Sequence, residues 1–237
     1  MYKEELFRKW DLLSKTTNSK VLIATIILLI FNSCAFTSQS DVNAVLIKAR
    51  KGGVEAQYQL AKAYENGEGV NKDFDEALKW YKQAASNGYP PAQIDLGWFY
   101  QEGYGVTQNS QKAIEWYAKA VAQNNAQAMF NIGWIYDQGI GINENNDKAS
   151  QWYKQAAEQG NHRAQLNLGI MLAFGKEIKL DYIEAYKWLT IVRIHAPEKN
   201  ARWKARGVLD EIIPSMNKKQ IEEGTIKANE WINNNKK

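Results

Sequence analysis

Apolar positions along this chain recur three and four residues apart, and the arrangement itself then recurs. Ala56, Leu60, Ala61 and Tyr64 fall on one face of a predicted helix. Gly67-Glu68-Gly69-Val70 ends it: Gly67 suits the left-handed residue that closes a helix, and Gly69 lets the chain turn tightly. Asp73 then predicts an N-cap, with Glu76 three residues later completing a capping box. Ala77, Trp80, Tyr81, Ala84 and Ala85 give a second amphipathic helix, Gly88 ends it, and Pro90-Pro91 starts the next unit.

The unit repeats every 36 residues, as Ala56, Ala92, Ala128, Ala164 and Trp80, Trp116, Trp152, Trp188 show. A fixed period of this length predicts a stacked array, not one compact globule. The first helix of each unit reads Leu96-Gly97…Tyr100, Ile132-Gly133…Tyr136 and Leu168-Gly169…Leu172. The second reads Ala113…Trp116-Tyr117, Ala149…Trp152-Tyr153 and Ala185…Trp188-Leu189. Glycine inside a helix costs roughly 1 kcal/mol against alanine, so Gly97, Gly133 and Gly169 predict a close helix–helix approach. Trp116, on the packing face, is expected to be a core residue.

These residues resemble the Sel-one-like repeat family, a relative of the tetratricopeptide repeat. Its pattern is A-x-x-x-L-G-x-x-Y-x-x-G-x-G-V followed by a capped helix with A-x-x-W-Y-x-x-A-A-x-x-G. Residues 92–127 match almost throughout, departing at Val121 and Asn124. The resemblance implies an all-α, right-handed α-solenoid of antiparallel helix pairs over 44–197. Residues 44–52 look like the second helix of an incomplete leading unit. The fourth unit decays, with Glu177 at the second loop glycine and Arg193 at an alanine position. Residues 198–237 are expected to form capping helices: Val208, Leu209, Ile212 and Ile213 end one before Pro214, and an Asn217/Gln220 capping box opens the last, with Ile221, Gly224, Ala228 and Trp231 on its packing face. Covering the apolar end of the stack is the task expected of them.

Composition changes the picture only at the N-terminus. Of the formal charge of +4, the first 33 residues supply +2 and the rest, with 25 cations against 23 anions, another +2. A balance this near neutrality gives no strong electrostatic case for nucleic acid, and none is expected as a partner. After a net-positive segment, Val21–Phe31 is an unbroken run of eleven apolar or near-apolar residues. That is far short of a bilayer core and fits the apolar region of a secretory signal. Residues 1–36 are thus expected to be an export signal or membrane anchor, and 37–43 a linker. Asn32-Ser33-Cys34 resembles a bacterial lipoprotein box, with Cys34 lipidated, although Phe31 and Asn32 depart from its usual residues. Ser33-Cys34-Ala35 fits cleavage after Ala35, and retention as an anchor is the third outcome. Cys34 is the single cysteine, so the chain beyond it has no thiol chemistry or disulfide. Each outcome places the array outside the cytoplasm, in the periplasm or facing it.

No catalytic, cofactor or metal signature stands out. The Gly-x-Gly pairs at 67/69, 103/105 and 139/141 follow helices and lack a phosphate-loop lysine, so they are turns. His162 and His195 have no metal-ligand spacing. The acidic groups Asp73/Asp75/Glu76 and Glu222/Glu223 are expected in first turns of helices, where they would favour the dipole. Function is therefore expected at outward positions of the first helices. The column Lys62, Trp98, Trp134, Ile170 points away from the packing face, flanked by Gln59, Asp95, Asn131, Asn167 and by Asn66, Glu102, Gln138, Phe174. Lys62, Asp95, Trp98, Glu102, Asn131, Trp134, Gln138 and Asn167 are the expected contacts for a protein or peptide. The competing expectation is that the two tryptophans pack between neighbouring helices.

The resemblance implies a non-enzymatic interaction scaffold of the bacterial cell envelope; one form would be an immunity protein neutralising a secreted toxin. Two rivals are a glycan-binding module using Trp98 and Trp134 as stacking platforms and a β-lactam-acting enzyme of the family's cysteine-rich branch. That branch ties each helix pair with a disulfide, which this chain cannot form.

Overall fold

The computed structural model describes residues 38–175 and 178–235. The expected export or anchor segment, Cys34 included, lies outside the described residues, as does Glu177. Eleven α-helices and no strand occur among the described residues. They are α1 (Gln39–Arg50), α2 (Val54–Asn66), α3 (Phe74–Ser86), α4 (Pro90–Glu102), α5 (Ser110–Val121), α6 (Ala126–Gln138), α7 (Asn146–Glu158), α8 (His162–Phe174), α9 (Tyr182–His195), α10 (Lys199–Ile212) and α11 (Lys218–Asn234).

The four pairs α2/α3, α4/α5, α6/α7 and α8/α9 stack into a solenoid, each helix packing on the next in sequence. The expected pairing face forms the core: Leu60, Ala61, Ala77, Tyr81, Ala84, Leu96, Tyr117, Ile132 and Tyr153 are fully buried. The helical glycines mark the tightest contacts. A Cβ on Gly97 would stand 2.6 Å from the Tyr117 ring, one on Gly133 2.8 Å from Tyr153, and one on Gly169 2.8 Å from Leu189. Units are stitched together by buried glutamines. Gln57, Gln93 and Gln165 donate through Nε2 to the carbonyls of Ala49, Ala85 and Ala157 on the preceding helix. Burial without such a bond would leave the amide unsatisfied at a cost of about 1–3 kcal/mol.

Several local expectations need correction. Residues 39–43 are helical, not linker: Ser38 caps α1 by accepting from the Asp41 amide, and Val42 is buried under Gly69. Asp73 caps α3 through the Asp75 and Glu76 amides, but the Glu76 carboxylate bonds Lys79 Nζ and Trp80 Nε1, so that box does not close. The Asn217/Gln220 box does close. The tryptophan column is not uniformly core. Trp80 and Trp188 are 6% and 2% exposed, whereas Trp116 and Trp152 are half-buried. The Trp116 ring instead carries Lys119 Nζ 3.8 Å from its centre.

The two C-terminal helices cap the last repeat, as expected, but not as a regular helix pair. α10 packs on α9 as the first helix of a fifth unit would, and lies closer to α8 than the earlier first helices lie to one another. After a 3₁₀ turn at Ile213–Ser215, α11 turns back onto α9. There Gly224 meets Tyr186, Trp231 meets Trp188 edge-on at 5.9 Å, and Lys227 bonds Glu184 at 2.9 Å. Burial raises the Glu184 carboxyl pKa, but Lys227 and Lys187 outweigh it and hold the group below its ordinary value.

Candidate partner-binding groove

The first helices form one layer of the solenoid, and their outward side chains line a groove of about 550 Å³ running from α4 across α6 and α8 to α10. Five of the eight expected contacts lie in it: Trp98, Glu102, Asn131, Trp134 and Asn167. Trp134 is 37% exposed and stacks on Phe130 with ring centres 6.3 Å apart. Trp98 is half-buried, its ring 4.8 Å from Tyr104 and 5.8 Å from Phe99. Each tryptophan ring thus packs on aromatic side chains of its own unit, and both line the groove.

The remaining three lie outside the groove. Lys62 sits one unit earlier, 2.9 Å from Glu65 and 3.9 Å from Asp95 Oδ2. Gln138 is exposed at the end of α6 and donates to Asp137. Asp95 is turned into the protein beside the Tyr58 and Tyr81 hydroxyls. Burial raises its carboxyl pKa; Lys62 and the Tyr58 hydroxyl oppose that, and Glu65 adds to it.

Asp95, Asn131 and Asn167 share a second task. A tyrosine on the second helix of each of the first three units reaches a first-helix residue of its own unit and lies against this column in the next. Tyr81 donates to Glu65 beside Asp95. Tyr117 bonds Gln101 at 3.2 Å and Asn131. Tyr153 donates to Asp137 at 3.1 Å and accepts from Asn167 at 3.1 Å. Burial pushes all three phenol pKa values up, so the hydroxyls stay protonated and donate. In the fourth unit Leu189 stands in the tyrosine's place and the ladder stops. Asn131 and Asn167 thus reach the groove while held from behind.

Sequence reasoning missed Gln101, Phe130, Arg163 and Leu166, and the contribution of α10 and its N-cap through Glu198, Asn200, Ala201 and Lys204. Phe130 and Leu166 were legible as one column with Tyr58 and Ile94, 36 residues apart. The α10 residues lie beyond the regular period, and nothing in it places them. Aromatic and aliphatic side chains thus line the groove together with charges of both signs, Glu102 and Glu198 with Arg163 and Lys204.

The Sel1 repeat family matches this chain at residues 54–89, 90–125, 126–161 and 162–191. Among solved structures, the fold is similar to a protective antigen present in uropathogenic Escherichia coli strains. Identity is 29% and the TM-score 0.70, over 81% of this chain and 40% of that one. A Sel1 repeat protein from Oxalobacter formigenes is 31% identical with a TM-score of 0.64, over 84% of this chain and 77% of that one. The chain thus spans less than half the length of the first and about three quarters of the second. A comparison with curated proteins finds no match.

Proposed function

We propose, from the premise that this chain belongs to the Sel1 repeat family, that it is a non-catalytic scaffold binding a polypeptide segment in the first-helix groove. Proteins of this family generally mediate protein–protein interactions. The observation that carries it is the composition of the groove. Trp98 and Trp134 are held rigidly by Phe99, Tyr104 and Phe130 and present aromatic area at little further entropic cost. Polar side chains surround them, the arrangement of an interface anchor within a wetter rim.

Charge favours a polypeptide over a neutral glycan. Arg163, Lys204, Glu102 and Glu198 all line the groove. A neutral sugar gives these four groups no counter-charge, whereas a peptide brings side chains and main-chain dipoles of both signs. The net-positive N-terminus and the Val21–Phe31 run support an exported protein, with Cys34 as the lipid attachment point tethering the array to the membrane. Its partner is then a protein of the cell envelope.

The test is capture in the protein's own cells with the tagged full-length chain, cross-linked and compared with Trp134→Ala and Lys204→Glu. A neighbour retained by the parent and lost from both variants supports the reading. Neighbours indifferent to both substitutions, or binding of cell-wall glycan by the purified protein at high salt, would overturn it.

A further inference from the structure

α10 occupies the place of a fifth first helix. With an offset of 37 residues, Ala201 follows Ala164, Arg202 follows Gln165, and Ala205 follows Leu168. Arg202 Nη1 donates to the Ala196 carbonyl at 3.0 Å, as Gln165 donates to that of Ala157. By the same offset Trp203 follows Leu166 and Arg206 follows Gly169. In Trp203's column Tyr58 and Ile94 are partly buried and Phe130 and Leu166 are each 8% exposed, whereas Trp203 is 74% exposed.

The exposure has a structural cause. α2, α4, α6 and α8 each carry their own second helix, but α11 has turned onto α9 and leaves α10 without one. A recess of about 730 Å³ remains between α9 and α10, lined by Tyr186, Arg193, Lys199, Arg202, Trp203 and Arg206. Four of these are cations. Asp210 is the carboxylate in the lining, 3.7 Å from Arg206. Among the described residues no carboxylate pairs with Arg193 or Lys199. In a chain of formal net charge only +4, this is a concentrated cationic site.

We propose that this recess docks an acidic amphipathic helix of a protein partner, which takes the position of the second helix that α10 lacks. Its carboxylates meet Arg193, Lys199, Arg202 and Arg206, and its apolar edge covers Trp203. A second copy of the same face would set these cations against one another. A flat anionic bilayer would not fill a recess. The site is separate from the first-helix groove, whose α10 contacts are Glu198, Asn200, Ala201 and Lys204.

The test uses the full-length chain in neutral detergent and a labelled peptide as long as α9, 14 residues. The peptide has glutamates along one helical edge and leucines along the other, and its counterpart carries lysine for every glutamate. Anisotropy should show saturable binding of the acidic peptide only. Arg193→Glu with Arg206→Glu should weaken it at least about tenfold and confer binding of the lysine peptide. Trp203→Ser should weaken it as well, and Trp134→Ala should leave it unchanged. Circular dichroism confirms that each variant is folded. The proposal is overturned if the acidic peptide does not bind or if charge reversal does not change its affinity. It is equally overturned if phosphatidylglycerol/phosphatidylcholine vesicles, and not the peptide, respond to the Arg193/Arg206 reversal, which would assign the face to a lipid surface.

Discussion

Replacing glycine by alanine should have opposite signs at two helical positions of this protein. At Gly207 in α10, an added Cβ meets nothing within 4 Å. Only the gain in helix propensity acts there, so Gly207→Ala should stabilise by about 0.5–1 kcal/mol. At Gly133 the same gain is opposed by a clash. The new Cβ would lie 2.8 and 2.9 Å from ring carbons of Tyr153 and 3.3 Å from Trp152 Cβ. The Tyr153 ring cannot swing aside cheaply. It is fully buried, stacks on Phe130 at 5.7 Å, and its hydroxyl is fixed by Asp137 and Asn167. Overpacking of this kind costs about 1–3 kcal/mol, and the locked ring places it in the upper part of that range. Less the propensity gain, Gly133→Ala should destabilise by about 1–2 kcal/mol. For a chain of this size each kcal/mol moves Tm by about 2–4 °C. Thermal unfolding followed by circular dichroism should thus show Gly207→Ala above the parent and Gly133→Ala below it. A Gly133→Ala protein as stable as Gly207→Ala would refute the claim that these glycines exist for close approach.

Trp188→Ala, which empties a site 2% exposed and removes the contact with Trp231, should cost about 3–5 kcal/mol, and half-buried Trp116→Ala distinctly less; equal losses in denaturant melts would contradict the burial pattern. Trp98→Ala should lower Tm more than Trp134→Ala, because Trp98 packs on Phe99 and Tyr104 while Trp134 is 37% exposed. Burial holds the Asp95 pKa above its ordinary value, so the fold binds that proton more tightly than the unfolded chain does. Its contribution is therefore favourable at low pH and is lost as pH rises from the ordinary carboxyl value through the raised one. Asp95→Asn, which copies Asn131 and Asn167, should remove that loss and raise stability at neutral pH; urea melts across the acid range check this, and a variant weaker than the parent at pH 7 would count against it.

The repeat made most of the fold legible, because packing within a solenoid is local and each unit restates the same contacts. Ala56, Gly67, Gly97, Trp80 and Pro90 each carry a helix face, a stop, a close contact or a start that depends on neighbours within one period. Where contacts leave the period, legibility ended. The period implies that α11 should flank α10. Instead Gly224, Lys227 and Trp231 make better partners of Tyr186, Glu184 and Trp188 on α9. The groove was half legible for the same reason. Trp98 and Trp134 follow from helical angle alone, whereas Lys204 and Glu198 reach it only because α10 packs on α8 and α9. Asp95 shows a further limit: helical angle placed it on the outward column, but the Tyr81 hydroxyl of the preceding unit and burial draw it inward.

The central claim is that the first-helix groove, and not the opposite layer, holds the partner. Photo-reactive side chains placed singly at Trp134 and Asn200 in the groove, and at Gln83 and Gln155 on exposed faces of second helices, test it in living cells with the full-length protein. The same protein should be captured from both groove positions and from neither of the others. Capture from Gln83 or Gln155 alone would contradict the account.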